Sequence, residues 1–223
     1  MNNYLDAIDQ QIAAKHLLTH PFYLAWTRGE LSKEALTDYA QQYYHHVAAF
    51  PTYLSAVHAK CDDQPTRREI LKNLIDEEAG NPNHPALWLQ FADSLGLSAE
   101  EVRSSKIQPE TTALINTFRD VCSSGQTADG LAALYAYESQ IPGISESKID
   151  GLKKHYGFSE PKGYEYFRVH LEADREHSAA ERKMLGAHIT DDNAPSVKES
   201  VERVLNALWN FLSGVCQRHA IAC

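Results

Sequence analysis

The stretch Gly163-Tyr-Glu-Tyr-Phe-Arg-Val-His170-Leu-Glu-Ala-Asp174-Arg-Glu-His177-Ser-Ala-Ala-Glu-Arg-Lys-Met-Leu185 decides the reading of this chain. An α-helix turns about 100° per residue, so steps of four and three keep His170, Asp174 and His177 on nearly one face. Phe167 and Met184 extend that face at the same spacing and mark it as the buried side, while Glu165, Arg168, Glu172, Glu176 and Lys183 fall on the solvated side. Two imidazoles and a carboxylate on an apolar face each cost a few kcal/mol, on the order of 1–3, unless satisfied. A metal ion satisfies all three at once. A hydrogen-bonded core network does so as well, and these three residues alone leave both readings open.

The rest of the chain supplies the context. With 223 residues, 43% hydrophobic and 23% charged, it is long enough for one well-buried core, and a single domain over 1–223 is expected. A formal net charge of −9 argues against nucleic-acid and acidic-membrane partners, which require a basic footprint. No apolar run reaches the roughly 18 residues of a membrane span. The N-terminal MNNYLDAIDQQIAAKH is acidic and amphipathic, unlike a signal peptide. Cys61, Cys122, Cys216 and Cys223 are scattered with no CxxC pairing, which suits a reduced, cytoplasmic compartment and offers no sulfur-based metal site.

Almost every segment reads as helix. Tyr4 to Leu18 is periodic, Pro21 opens a short helix before Gly29, and Ser32 caps a long one towards Ala59 with a kink expected at Pro51. Pro65 opens a helix ending near Gly80, and the run Gly80-Asn-Pro-Asn-His84-Pro85 breaks the chain. Helices are expected from Pro85 to Leu95, after Ser98, and at 110–123, 127–139, 144–157, 162–187 and 194–218, with no alternating β-branched run. The fold class is a compact all-α bundle.

Glu138 ends an apolar stripe formed with Leu131 and Leu134, just before Gln140-Ile-Pro-Gly is expected to break the helix. A lone glutamate near a helix end is more often solvated. Asp76-Glu77-Glu78 precedes His84, but Pro82 and Pro85 interrupt any continuous helix, so local geometry does not choose between Glu77 and Glu78. With Glu77, the set His84, Glu138, His170, Asp174 and His177 supplies three carboxylates and three imidazoles. Such oxygen and nitrogen donors suit iron or manganese. Six ligands exceed what one catalytic ion with open positions takes, and fit two. Asp174-x-x-His177 matches half of a ferritin-type site, yet the second Glu-x-x-His of that class is missing, so the architecture is not that of ferritin.

These motifs, Glu77-x6-His84, Glu138 preceded by Tyr137, and His170-x3-Asp174-x2-His177, follow in order and at matching separations those of a known group. Over nearly its whole length the chain resembles the family of the chlamydial death-domain-associating protein. That family consists of haem-oxygenase-like dimetal oxidases related to thiaminase II and pyrroloquinoline-quinone synthase C. The resemblance implies an up-and-down bundle of about seven core helices around a central dimetal site (Fe/Fe or Fe/Mn), and selects Glu77 over Glu78. It also implies an oxygen-dependent synthesis of 4-aminobenzoate, a folate precursor, that consumes the protein's own side chains. Tyr23 matches the tyrosine that gives up its ring, Lys148 the amino donor, and Tyr39 and Tyr137 further tyrosines beside the metals. Dioxygen and an external reductant are the implied co-substrates, and a homodimer is expected.

A phenol has a pKa of about 10 and ordinarily stays protonated. Tyr39 and Tyr137 thus fit either a relay for a radical or simple core packing, and the latter is the commoner fate in a chain with eleven tyrosines. Lys148 must become neutral to act as a nucleophile, and burial beside a cationic metal cluster would shift it in that direction; a surface lysine in a polar segment is the usual reading of such a residue. In Tyr43-Tyr-His-His46 one face could line the pocket, but core packing or a solvated histidine is the first reading; Cys122 reads as structural, and Tyr164 and Tyr166 as packing residues. Two other functions remain open: a dimetal oxygenase or N-oxygenase acting on an external small substrate, and a protein-interaction module.

Overall fold

The computed structural model describes residues 3–222; Cys223, Met1 and Asn2 lie outside the described residues. Eleven α-helices account for the fold, with no strand among the described residues. They are α1 (Asn3–Ala14), α2 (Pro21–Arg28), α3 (Lys33–Lys60), α4 (Gln64–Glu78), α5 (His84–Ser94), α6 (Ala99–Arg103), α7 (Pro109–Ser124), α8 (Thr127–Glu138), α9 (Ile141–His155), α10 (Glu165–His188) and α11 (Ala194–Arg218). The expected all-helical bundle is present, with short helices added between its long members. No helix among the described residues is long and apolar enough to cross a membrane.

The helix boundaries follow from local chemistry. Ser32 Oγ accepts from Ala35 N at 3.1 Å and starts α3, and Asn83 Oδ1 accepts from Ala86 N at 3.0 Å and starts α5. Each satisfies one of the N–H groups that a helix start leaves without an internal partner. The Asn83 cap sets α5 one residue earlier than Pro85 suggests and brings His84 into its first turn. Pro51 lies inside α3, which runs on past it to Lys60 as the expected single long helix. The break expected at Gln140-Ile-Pro-Gly is also narrower than anticipated. Pro142 occupies the first turn of α9, where its missing N–H has no role, and α9 therefore starts almost where α8 stops.

The largest departure concerns α8. Instead of one apolar stripe, every residue from Ala128 to Glu138 is buried, because α3, α7, α10 and α11 surround it. Its small residues allow that approach: a Cβ on Gly130 would stand 2.5 Å from Val57 Cγ2 on α3. Val57 is fully buried and stiff about χ1, so it has little room to yield. Crowding of that kind costs about 1–3 kcal/mol, against up to about 1 kcal/mol gained from the better helix former. Gly130→Ala is therefore expected to destabilise the protein by about 1 kcal/mol in chemical denaturation, and an unchanged or higher stability would show that α3 and α8 are not closely apposed.

Candidate metal centre

Four helices deliver polar side chains into the centre of the bundle. Glu77 comes from the end of α4, His84 from the start of α5, Glu138 from the end of α8, and His170, Asp174 and His177 from α10. Glu77 is 3% exposed while Glu78 faces solvent, so the structure turns the former inward. The lone-glutamate expectation of solvation fails for Glu138, which is 1% exposed. The six side chains form two triads, Glu77–His84–His170 and Glu138–Asp174–His177, each able to bring three ligand atoms within 4.8 Å of one another.

Within the first triad His84 Nδ1 lies 2.9 Å and His170 Nε2 3.9 Å from the Glu77 carboxylate. In the second, His177 Nδ1 lies 3.4 Å from Asp174 Oδ1 and 4.0 Å from Glu138 Oε1. Despite this proximity His84 Nδ1, His177 Nδ1 and both Asp174 oxygens have no aligned hydrogen-bond partner. Buried polar atoms seldom remain unsatisfied, and atoms that converge on a common point rather than along N–H···O lines are placed as metal ligands are. Three carboxylates and three imidazoles fit an iron or manganese pair; nothing in the set is a thiolate.

Neighbours fix the orientation of these groups. His170 Nδ1–H donates to Tyr166 O at 2.7 Å, which leaves Nε2 facing Glu77. His177 Nε2–H donates to Asp76 Oδ2 at 3.0 Å, which leaves Nδ1 facing Asp174. Asn73 Nδ2 donates to both oxygens of Glu138 at 3.0 Å. Outer partners of this type hold the tautomer and rotamer of a ligand. Asp76 and Asn73 stand one and four residues before Glu77, so one turn of α4 supplies a candidate ligand and the supports of two others.

The electrostatics are strained. Burial, followed by the Glu138 and Glu77 charges, raises the Asp174 carboxyl far above its ordinary range. Burial likewise raises Glu77. Burial and the adjacent His84 drive His170 well below the usual imidazole value. For His177 burial acts downward, but Asp174, Glu138 and Asp76 outweigh it and raise the imidazole.

A second cluster adjoins the first. Lys148 on α9 is 3% exposed, and its Nζ lies 2.6 Å from Tyr39 Oη. The rings of Tyr23, Tyr39, Tyr43, Trp88 and Phe167 lie 4.9–5.6 Å from that nitrogen. Aromatic faces attract a cation, but burial prevails and holds Lys148 well below the ordinary lysine value. Tyr23 Oη lies 3.4 Å from Tyr39 Oη. Tyr39 and Tyr43 stack with centroids 5.3 Å apart, and Tyr43 Oη meets Tyr137 Oη at 2.7 Å. The sequence put packing first for Tyr43, with pocket lining as the alternative. Its i+4 spacing from Tyr39 on α3 was the available signal that the two rings meet. Tyr166, read as packing, stacks on His170 at 4.0 Å, and Cys122 is fully buried with its thiol pushed up to about 12.

A haem-oxygenase-like helical bundle with two adjoining carboxylate–histidine triads defines a class of metal-dependent oxidoreductases. The chain belongs to the family of iron-containing redox enzymes, whose profile matches residues 37–209. A 4-aminobenzoate synthase of Chlamydia pneumoniae is 48% identical over 213 residues, covering 96% of this chain and 95% of its own length. A 4-aminobenzoate synthase of Nitrosomonas europaea is 45% identical over 228 aligned residues, covering 98% and 93%. Among solved structures, a TenA homologue from Pseudomonas syringae pv. tomato shares the fold with a TM-score of 0.81 at 19% identity, covering 96% of this chain and 91% of its own.

An ion that binds only the folded chain stabilises it by about 2.7 kcal/mol at a hundredfold excess over its Kd. For a chain of this size that corresponds to a melting temperature higher by about 5–10 °C than in chelator. Calorimetry of stripped and iron- or manganese-loaded protein is expected to show this gap. His170→Ala and Asp174→Ala are expected to lower metal content and shrink it; full occupancy in both variants would remove these residues from the centre.

Proposed function

We propose that this protein is a self-sacrificing, dimetal 4-aminobenzoate synthase, in which Tyr23 supplies the aromatic ring and Lys148 the nitrogen. The observation that carries the reading is the buried contact chain Tyr23–Tyr39–Lys148, joined through Tyr43 to Tyr137, the residue next to Glu138. The names of the relatives support the same product. Glu77, His84 and His170 would hold one ion and Glu138, Asp174 and His177 the other, as two irons or an iron–manganese pair. When bound, these ions supply the means to activate dioxygen with electrons from an external reductant.

The chain's own residues account for the rest. Burial raises Tyr23, Tyr39, Tyr43 and Tyr137 above the ordinary phenol range, so each ring stays neutral and gives up an electron only together with its proton. The Oη–Oη contacts and the neutral Lys148 amine provide acceptors for those protons. Because the amine keeps its lone pair, it is also a nucleophile beside the Tyr23 ring, with the nitrogen 5.5 Å from the ring centroid. The surrounding aromatic rings exclude water from both groups.

An external-substrate oxygenase remains the second reading, because a groove of about 600 Å³ lined by Asp76, His84, Arg168, Glu172 and His177 opens onto the metal ligands. Turnover separates the two. A consumed residue is not replaced, so product from Tyr23 cannot exceed one equivalent per chain. Protein carrying ring-labelled tyrosine, given metal, reductant and dioxygen, is expected to release labelled 4-aminobenzoate, with residue 23 stripped in peptide mass analysis. Many turnovers with Tyr23 intact would instead establish the external-substrate oxygenase.

Tyr23→Phe is expected to bind metal and yield no product. Lys148→Arg retains a charge that cannot be lost near neutral pH, and is expected to fail as well. Tyr43→Phe keeps the stacking on Tyr39 but deletes the contact to Tyr137; it is expected to lower the yield while leaving metal content intact. An undiminished yield from Tyr43→Phe would take that residue out of the path.

A further inference from the structure

The ligand face of α10 does not end at His177. Four residues on, at the next position of the same stripe, stands Glu181, 2% exposed. Neither of its carboxylate oxygens has a hydrogen-bond partner. The usual reason for burying a glutamate is a cation, and the cations nearby are committed elsewhere. Arg182 binds Asp9 at 2.7 Å, Lys72 binds Glu69 at 2.7 Å, and Lys183 faces solvent. The groups that face Glu181 include two further carboxylates, Glu138 and Asp174. A buried glutamate facing two like charges is destabilising for the fold alone.

We infer that Glu181 is a seventh ligand residue of the metal centre, giving the ion held by Glu138, Asp174 and His177 a fourth protein ligand. Helix geometry permits it: Glu181 lies about 6 Å beyond His177 along the axis, and helical side chains lean towards the N-terminus, back over that turn. Charge favours it too. Glu77, Glu138, Asp174 and Glu181 are four buried carboxylates, the charge complement of two divalent ions, whereas three would leave a positive charge uncompensated. Glu181 also lines a cleft of about 160 Å³ shared with Asn73, Asp76, His177 and Met184, and so stands where that ion's side of the centre meets the surface.

The inference rests on the two-ion centre and not on the product formed there, so it is tested by binding. Wild-type protein, Glu181→Gln and Glu181→Asp are stripped with chelator and titrated with manganese(II) and, without oxygen, iron(II). Calorimetry reads affinity and stoichiometry, and electron paramagnetic resonance reads the manganese environment. Wild type is expected to take two ions. Glu181→Gln should keep one ion at unchanged affinity and bind the other at least about tenfold more weakly, with an altered spectrum. Glu181→Asp, one methylene shorter, should weaken the same ion.

Metal-free Glu181→Gln is expected to melt no lower than metal-free wild type, since the glutamate makes no hydrogen bond that folding would lose. A glutamine can still donate a hydrogen bond to Glu138. Two ions bound by Glu181→Gln with wild-type affinity and spectrum would therefore overturn ligation and leave a packing role. Fewer than two ions in the wild type would overturn the two-ion centre as well, so the two failures are distinct.

Discussion

Four carboxyl groups, Glu77, Glu138, Asp174 and Glu181, meet at the centre of this bundle; the first three have histidines at ion-pairing distance, and Glu181 has no hydrogen-bond partner. Among the described residues no lysine or arginine pairs with them. A globular core tolerates such a concentration of like charge only when something compensates it. The arrangement of α4, α5, α8 and α10 is explicable as the means of bringing these groups to one place. It requires α8 to run through the middle of the molecule, wrapped on every side, so that its last residue, Glu138, arrives fully enclosed. It requires the start of α5 to be capped one residue early, so that His84 points inward from the first turn. The apolar packing does the folding, and the polar centre determines which packing is admissible.

The same logic separates the two clusters. The triads hold groups that burial disturbs in opposite senses, carboxylates upward and His170 downward, and a divalent ion relieves both. The Lys148 cluster has no such remedy. For an amine enclosed by aromatic rings, burial favours the neutral form instead, and on the proposed chemistry that form is the nucleophile. One centre stores demand for positive charge while its neighbour sheds it. On the proposed chemistry that contrast, across a few side chains, would let oxidation and nucleophilic attack proceed in one interior.

Much of this was legible in the sequence because it depends on periodicity. The 4–3 spacing of His170, Asp174 and His177 is a property of the helix itself, and the all-α fold follows from similar stripes elsewhere. The motif order identified the family. What escaped was whatever depends on surroundings rather than spacing. Glu138 resembled a solvated helix end because nothing local reveals that α8 is enclosed by four other helices. Tyr43 looked like packing because its partner Tyr137 lies 94 residues away. Glu181 sat in plain view on the stripe, but a glutamate four residues from a histidine is also what an exposed helix surface contains. Pro142 misled in the opposite way, since a proline marks a break or a first turn equally well.

Tyr23 is 2% exposed, wedged against Phe22 and the Tyr39 hydroxyl. On the proposed chemistry a spent chain differs from a fresh one by the loss of that buried ring. Removing a large aromatic side chain from a core costs about 3–5 kcal/mol, a large share of the roughly 5–15 kcal/mol that keeps a domain folded. The population of unfolded molecules rises accordingly, and with it susceptibility to cellular proteases. A protein of this design would carry its own expiry: the event that exhausts it also flags it for degradation, and its amino acids return to the pool from which the next copy is made.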